Sequence, residues 1–272
     1  MTGGPIDVGF RPYRAGAWHY AEYRFKVLDG LIDVLADRLG WNGGTRVLDL
    51  CCGPAHLSIP VAGRVGQVVG IDIEPETLEE GRRRLATAQV ENVVLLEGPA
   101  EAADELTEGL FDAVTVGWGF HWLADPDGVL ARLAGTTVPG AAVVVIGDPS
   151  EPAGSPEPPP SWHREVDAIL DRYLEGTPGP PRQGPHRPYQ DILSASPFCH
   201  LDELTVEAEV EFTDSLESRI GFLYSLAGTL DRLAGRRAEF EAEVRGSLSE
   251  LAPVAKRLRR TDRALIGRRG GG

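Results

Sequence analysis

The sequence predicts a doubly wound α/β fold on a mostly parallel sheet, and three observations carry that reading. Short runs rich in Val and Ile, continuous rather than alternating, recur through the first half, as strands buried on both faces do. Amphipathic stretches separate them, and strand–helix–strand repetition with right-handed crossovers winds a parallel sheet. The first run, in VLDLCCGPAHLS at 47–58, ends in an aspartate, then a turn with one glycine, then a helix-like stretch.

Taken in chain order, AWHYAEYRFKVLDGLIDVLADRL (17–39) reads as a helical cover ahead of the first strand. TRVLDL (45–50), QVVGID (67–72), NVVLLE (92–97), FDAVTV (111–116) and AAVVVI (141–146) read as strands. Helices are expected over 56–64, 75–87, 100–106 and 125–134. Pro75 suits a first helical turn, and Leu78 and Leu85, seven residues apart, share a face. Residues 149–188 hold 11 of the 21 prolines, interrupted by the helical pattern WHREVDAILDRYLE (162–175). Loops of that length are expected to be lids or binding loops, mobile until a ligand closes them. A short helix near 189–195 and a strand, HLDELTVEAEVEF (200–212), follow. Asp214 with Glu217 offers a capping box for a helix carrying Leu216, Ile220, Leu223 and Tyr224 on one face. A further helix is expected over 236–252 and a short final strand over 263–269. The run from Lys256 to Arg260 reads as a solvated helix face. The expected organisation is one domain over 1–272, with a helical cover at 1–44 and a ligand-binding core at 45–148. A Pro-rich insertion or lid at 149–195 and C-terminal strands with a helical lid at 213–252 complete it.

Composition narrows the function. The net charge of −14 argues against a nucleic-acid partner, because phosphate backbones need clustered Lys and Arg. With 42% hydrophobic and 25% charged residues, the chain reads as an ordinary globular protein. The apolar run AAVVVIG at 141–147 is far too short to span a bilayer, and no signal-like start is visible. A cytoplasmic monomer or homodimer without membrane attachment is expected. Cys51, Cys52 and Cys199 make no disulfide framework, and adjacent Cys51 and Cys52 bridge only with a distorted backbone. They read as small packing residues, and no ligand spacing suggests a metal. The 25 Arg against 2 Lys suggest a GC-rich coding sequence of bacterial type.

In doubly wound sheets ligands bind at the carboxyl ends of the strands, so function is sought in the loops after residues 50, 72, 97, 117 and 147. Gly53 lets backbone pass close to a ligand, and a helix starting near His56 turns its amide end toward an anionic group. Asp72, ending the second strand, can accept hydrogen bonds from a pair of hydroxyls. A nicotinamide-dependent oxidoreductase also uses such an acid, but needs G-x-G-x-x-G after the first strand. The window from Cys51 to His56 holds only Gly53.

Four features in order carry a resemblance: Asp49-Leu50-Cys51-Cys52-Gly53-Pro54-Ala55 against a D-x-G-x-G-x-G loop, Asp72, Gly98-Pro99-Ala100-Glu101, and the stretch 111–141 with its histidine–tryptophan turn. Over 45–147 the chain resembles the class I S-adenosylmethionine-dependent methyltransferases, especially the small-molecule branch. The resemblance implies a Rossmann-like sheet with S-adenosyl-L-methionine as cofactor. It places Asp49 and the Gly117 carbonyl near the cofactor's ammonium, Gly53 beside its methionine part and Asp72 on the ribose. Ile73, Ala100 and Glu101 fall around the adenine, and Tyr23 and Arg24, with Tyr20, belong to a segment closing over the site. Cys51 in place of the first family glycine is expected to cost little. Ala55, in place of the last, is strained if its φ is positive and harmless at a right-handed helix start. Pro54 removes a donor.

Methyl transfer to a hydroxyl needs a base near the fourth or fifth strand exit. His121 in GWGFHWL (117–123) is the first candidate, either as base or as packing for the pocket. Asp148 is the second, and His19 adds an acid–base group from the cover. Trp118, Phe120 and Trp122 favour a flat or apolar small-molecule acceptor. The expected function is methyl transfer to such an acceptor, oxygen before nitrogen or carbon, with a specialised metabolite as the acceptor class. The alternative is the same fold acting as a cyclase, a decarboxylase or a non-catalytic binding partner.

Overall fold

The computed structural model describes residues 11–24, 26–147, 160–179 and 187–270. Its strands are β1 (Arg46–Leu50), β2 (Gln67–Asp72), β3 (Val93–Glu97), β4 (Phe111–Gly117), β5 (Thr137–Ile146), β6 (His200–Asp214) and β7 (Val254–Arg268). They form one sheet in the order β3-β2-β1-β4-β5-β7-β6. The first five are parallel, and β7 runs antiparallel to both neighbours. The switch in strand order falls between β1 and β4, where Asp49 pairs with Thr115 and Leu50 with Val116.

Alternate residues of the central strands feed two cores, as the pleat requires. Leu48, Leu50, Val114, Val116, Val143 and Val145 face one side, where α6 (Pro126–Thr136) and α8 (Tyr189–Ser194) bring Val129, Leu130, Leu133, Ile192 and Leu193. Val47, Ala113, Val144 and Ile146 face the other, against Leu31, Ile32 and Leu35 of α2 (Asp29–Leu39) and Val61 of α3 (Ser58–Ala62). The expected cover at 17–39 is therefore two helices with different tasks. α1 (Ala17–Tyr23) packs on α4 (Pro75–Ala88), whereas α2 belongs to the sheet's own layer. In α4, Pro75 occupies the first turn, and Leu78 and Leu85 pack together with Leu95 and Cys52. α5 (Ala103–Leu106) continues a 3-10 turn over Ala100–Ala102.

The largest departure from expectation lies at the C-terminal end. The last strand is not short, and Lys256 to Arg260 do not form a helix face. They lie in the outer half of β7, paired along its whole length with β6. Charge on both faces hides the period of two, and the ladder itself supplies the partners: Arg257 meets Glu211, Arg259 meets Glu207 and Lys256 meets the buried Asp214. β5 contacts β7 only from Ala264 to Arg268. The ribbon of 205–214 and 254–263 therefore continues past the carboxyl edge of β5. It carries α9 (Leu216–Tyr224), α10 (Thr229–Leu233) and α11 (Arg237–Ser247) between its strands. These pack with α7 (Ser161–Leu174) around Val166, Ile169, Leu170, Leu223, Leu233 and Phe240. The helix in the Pro-rich segment is thus already docked through its apolar face. The cap of α9 is made by Ser215 and Ser218 rather than Asp214 and Glu217. Asp214 instead accepts from His163 at 2.8 Å and Lys256 at 2.6 Å.

Candidate active site

A cleft of about 930 Å3, its open mouth included, lies at the carboxyl ends of β1 to β4. The turn after β1 builds its floor. Helix α3 begins only at Ser58, so residues 51–57 form a tight turn instead of the expected helix start at His56. Cys51 has φ +54°, Gly53 +51° and Ala55 +61°. Gly53 suits that geometry. The two residues standing where the family carries glycine have paid no such steric exemption: Ala55 is in the strained alternative, and Cys51 costs more than expected. Trp118, after β4, has φ +51° and donates its N–H to Ile146 O at 2.7 Å. Three of the five positive-φ residues other than glycine among the described residues thus frame this cleft, the pattern of strain gathered at a functional site.

The carboxylate of Asp72 ties the turn to β2. Its Oδ2 accepts the Gly53 N–H at 2.7 Å and its Oδ1 the Glu74 N–H at 2.9 Å. Burial raises its pKa against those bonds. The Ile73 N–H and the Thr77 hydroxyl also favour its charged form, and the residue lines the cleft. Glu74, two residues on, is 3% exposed. Its Oε1 accepts the Tyr13 N–H at 3.1 Å, and its buried Oε2 has no hydrogen-bond partner among the described residues. Burial foremost pushes this carboxyl up to about 7, with Asp72 and Glu76 adding to the rise.

Of the residues expected around a cofactor, Gly53, Asp72, Ile73, Ala100, Glu101 and Gly117 all line this cleft. Asp49 lies beneath it. Only 1% exposed, it accepts from Ser58 Oγ at 2.5 Å and Thr115 Oγ1 at 2.8 Å, and burial pushes its carboxyl up to about 6. Its contacts lock the turn to β4. Tyr23 and Arg24 do not line the cleft. They face a second cavity beside the β6–β7 ribbon, and the cleft wall is made instead by Tyr13 and Tyr20, whose ring centroids lie 4.9 Å apart. Tyr20 stacks on His56, which bonds Ala21 O at 3.0 Å.

The acid–base candidates are scattered. His121 sits in the 3-10 turn Phe120–Trp122, which gives Trp122 to the lining but not the imidazole. His19 is buried against Tyr224, ring centroids 5.1 Å apart, away from the cleft. Asp148 lies outside the described residues. Pro12, Tyr13 and Glu74 were not legible as site residues. Tyr13 lies upstream of every motif, and its hydrogen bond to Glu74 and its ring contacts with Tyr20 and Trp122 bring it in. Glu74 carried a signal, an acid immediately before Pro75 at a helix start. Among the described residues no group of three or more His, Cys, Asp or Glu is placed to hold a metal, and no helix is long and apolar enough to cross a membrane.

Parallel strands in this order, a two-strand antiparallel edge and a cleft at the switch point with an acid closing β2 define the class I methyltransferase fold. Comparison with known proteins carries the assignment further. Residues 47–140, about a third of the chain, match the family model described as "Methyltransferase domain". Demethylmenaquinone methyltransferases of Bacillus cereus and Bacillus anthracis are 34% identical over 106 residues, 38% of this chain. The chain spans 44% of the length of these relatives. A putative type II methyltransferase from Anaeromyxobacter dehalogenans superposes with a TM-score of 0.53 at 19% identity, covering 92% of this chain and 100% of its own. The YcgJ protein of Bacillus subtilis gives 0.51 at 17%, over 90% and 100%. These two likenesses are of fold.

Proposed function

We propose that the protein transfers a methyl group from S-adenosyl-L-methionine to a small-molecule acceptor. The observation that carries the reading is the cleft of β1 to β4, in which Asp72, at the end of β2, holds the bare backbone of Gly53 at 2.7 Å. The residues present fit the cofactor. Asp72 would take ribose hydroxyls, and Ile73 with Pro99 and Ala100 gives apolar walls for the adenine. The open backbone at Gly53 and Gly117 leaves space at the methionine end, and the orphaned Oε2 of Glu74 offers a further acceptor to a donor entering the cleft. When bound, the cofactor supplies a methyl group on a positively charged sulfur, which is already an excellent leaving group. The protein's own work is then alignment and exclusion of water. Tyr13, Tyr20 and Trp122 cover the cleft from the side of the N-terminal segment. Asp49 acts through the turn, by fixing Ser58 and Thr115.

Oxygen is the proposed acceptor atom, before nitrogen or carbon, with His121 its proposed proton acceptor. The imidazole does not line the cleft in this structure, so that role requires the turn Phe120–Trp122 to bring it in beside Trp122. A flat, apolar acceptor suits Trp118 and Trp122. The Bacillus relatives are named for demethylmenaquinone, so quinols and phenols are the first acceptors to assay; a specialised metabolite of that kind and a cytoplasmic location belong to the same proposal. Calorimetric titration with S-adenosylmethionine, S-adenosylhomocysteine and NAD tests the cofactor. Binding of the first two without NAD is expected, and NAD binding alone would replace the reading with an oxidoreductase. Mass spectrometry of acceptor mixtures then separates methyl transfer from mere binding, and His121→Gln should lower turnover of a phenolic acceptor by about tenfold or more.

A further inference from the structure

The second cavity, about 1550 Å3 with its open mouth, lies between the α1–α2 junction, α9 and the outer half of the β6–β7 ribbon. Its wall is largely apolar, with Tyr23, Val27, Phe212 and Phe222 among its residues. Three guanidinium groups break that surface; one of them, Arg260, is held by Asp262 at 2.8 Å. Arg24 and Arg219 both stand over the Phe222 ring, 5.3 and 5.5 Å from its centroid. Arg219 is held by Asp167 from α7. Arg24 has no carboxylate in ion-pair range among the described residues; its Nη2 donates to Ser225 O at 3.3 Å and its charge also lies 5.3 Å over the Tyr20 ring. In both arginines the buried Nε has no hydrogen-bond acceptor among the described residues. A cation without a counter-charge on an apolar wall is costly, so Arg24, beside the already paired Arg219 on the same ring, marks a place for an anion.

The acids of this cavity do not supply it. Asp214 is taken by His163 and Lys256, and Glu211 by Arg257 at 2.7 Å. Glu22 and Asp29 are exposed at the rim, as is Lys26. The site also has a geometric relation to the first cleft. Tyr20 lines that cleft with its ring, and Arg24 lies over the same ring while lining the second cavity. The Tyr20–Arg24 pair is therefore the partition between them.

We propose that the second cavity binds the anionic end of the acceptor, a carboxylate carried on a flat apolar body, with Arg24 and Arg219 as its donors and Phe222 as its platform. The word acceptor rests on the proposed methyl transfer; the binding site does not. An arginine pair offers a planar carboxylate several parallel N–H donors, and an apolar wall takes the ring behind it. A neutral amide of the same shape keeps one carbonyl acceptor and the apolar contact but lacks the charge and the second acceptor oxygen.

The test is calorimetric titration of the full chain with 2-naphthoate and with 2-naphthamide, each alone and with saturating S-adenosylhomocysteine. Naphthoate is expected to bind about tenfold or more tightly than the amide, and S-adenosylhomocysteine should not displace it. Arg24→Gln should remove the preference for the anion, with circular dichroism and melting temperature reporting its fold. Phe222→Leu, which keeps every charge, should weaken both ligands and carries the test if Arg24→Gln does not fold. Equal affinity for the two ligands, no binding of naphthoate, an unchanged preference in Arg24→Gln, unchanged affinities in Phe222→Leu, or displacement by S-adenosylhomocysteine would each overturn the proposal. S-adenosylhomocysteine binding without naphthoate binding would sink this site alone. Naphthoate binding without S-adenosylhomocysteine binding would sink the methyl-transfer reading and leave the site standing.

Discussion

Replacing Ala55 with glycine isolates the strain in the turn after β1. Ala55 is fully buried with φ +61°. An ordinary buried alanine changed to glycine loses the transfer energy of one methyl, about 0.8 kcal/mol. It also loses about 0.5–1 kcal/mol through the greater freedom of glycine in the unfolded chain. At Ala55 those losses are opposed by release of the left-handed strain, about 1–2 kcal/mol. The net change should therefore fall within about 0.8 kcal/mol of zero, in either direction. Ala103 provides the control: it is 4% exposed, with φ −57° and ψ −35°. Ala103→Gly should lose about 1.3–1.8 kcal/mol. Urea unfolding of both variants beside the parent chain gives the comparison, and the gap between them measures the strain directly. S-adenosylhomocysteine affinity should stay the same or tighten in Ala55→Gly, because the turn keeps its backbone path. Equal losses in the two variants would refute a strained turn. A clear loss of affinity in Ala55→Gly would show that the methyl group itself shapes the cleft.

Asp72→Ala should weaken S-adenosylhomocysteine binding by about 1.5–3 kcal/mol, the scale of hydrogen bonds to charged groups, and also lower stability because the Gly53 and Glu74 N–H groups lose their acceptor; unchanged affinity in the folded variant would remove this residue from the site. Glu74, with a folded pKa near 7 against 4.5 in the free side chain, binds more protons folded than unfolded. Its contribution to stability is therefore complete below about pH 4.5 and lost as pH rises toward 7. Glu74→Gln should match the parent at pH 4 and exceed it by about 1–3 kcal/mol at pH 8, and parallel stability curves would show that the carboxyl is not penalised. Hydrogen exchange should find the amides around Val166, Ile169 and Leu170 protected in the free protein, because α7 is docked through those residues; rapid exchange without ligand would return the helix to the mobile lid expected from its flanking prolines.

The parallel core was legible in the sequence because its signal is local. A strand buried on both faces must be continuously apolar, so β1, β2, β4 and the buried part of β5 announced themselves, and Pro75 marked the start of α4. The cleft was legible for the same reason, since Gly53, Asp72, Ile73, Ala100, Glu101 and Gly117 sit at strand ends that the element order identifies. What the tertiary structure decided was everything set by a distant partner. Lys256 to Arg260 could join a strand only because Glu207, Glu211 and Asp214 stand across the ladder to neutralise them. The backbone sign at Cys51 and Ala55 depends on how the turn is pulled down by the Asp72–Gly53 bond and by Asp49 between Ser58 and Thr115. Tyr23 and Arg24, which sequence order sets beside Tyr20, face a different cavity because α1 ends at Tyr23 and the chain there turns toward the ribbon. Strand propensity and turn position are carried by neighbouring residues, whereas pairing, burial and the direction a side chain takes are fixed by groups far along the chain, as the Leu28 N–H is by Asp262.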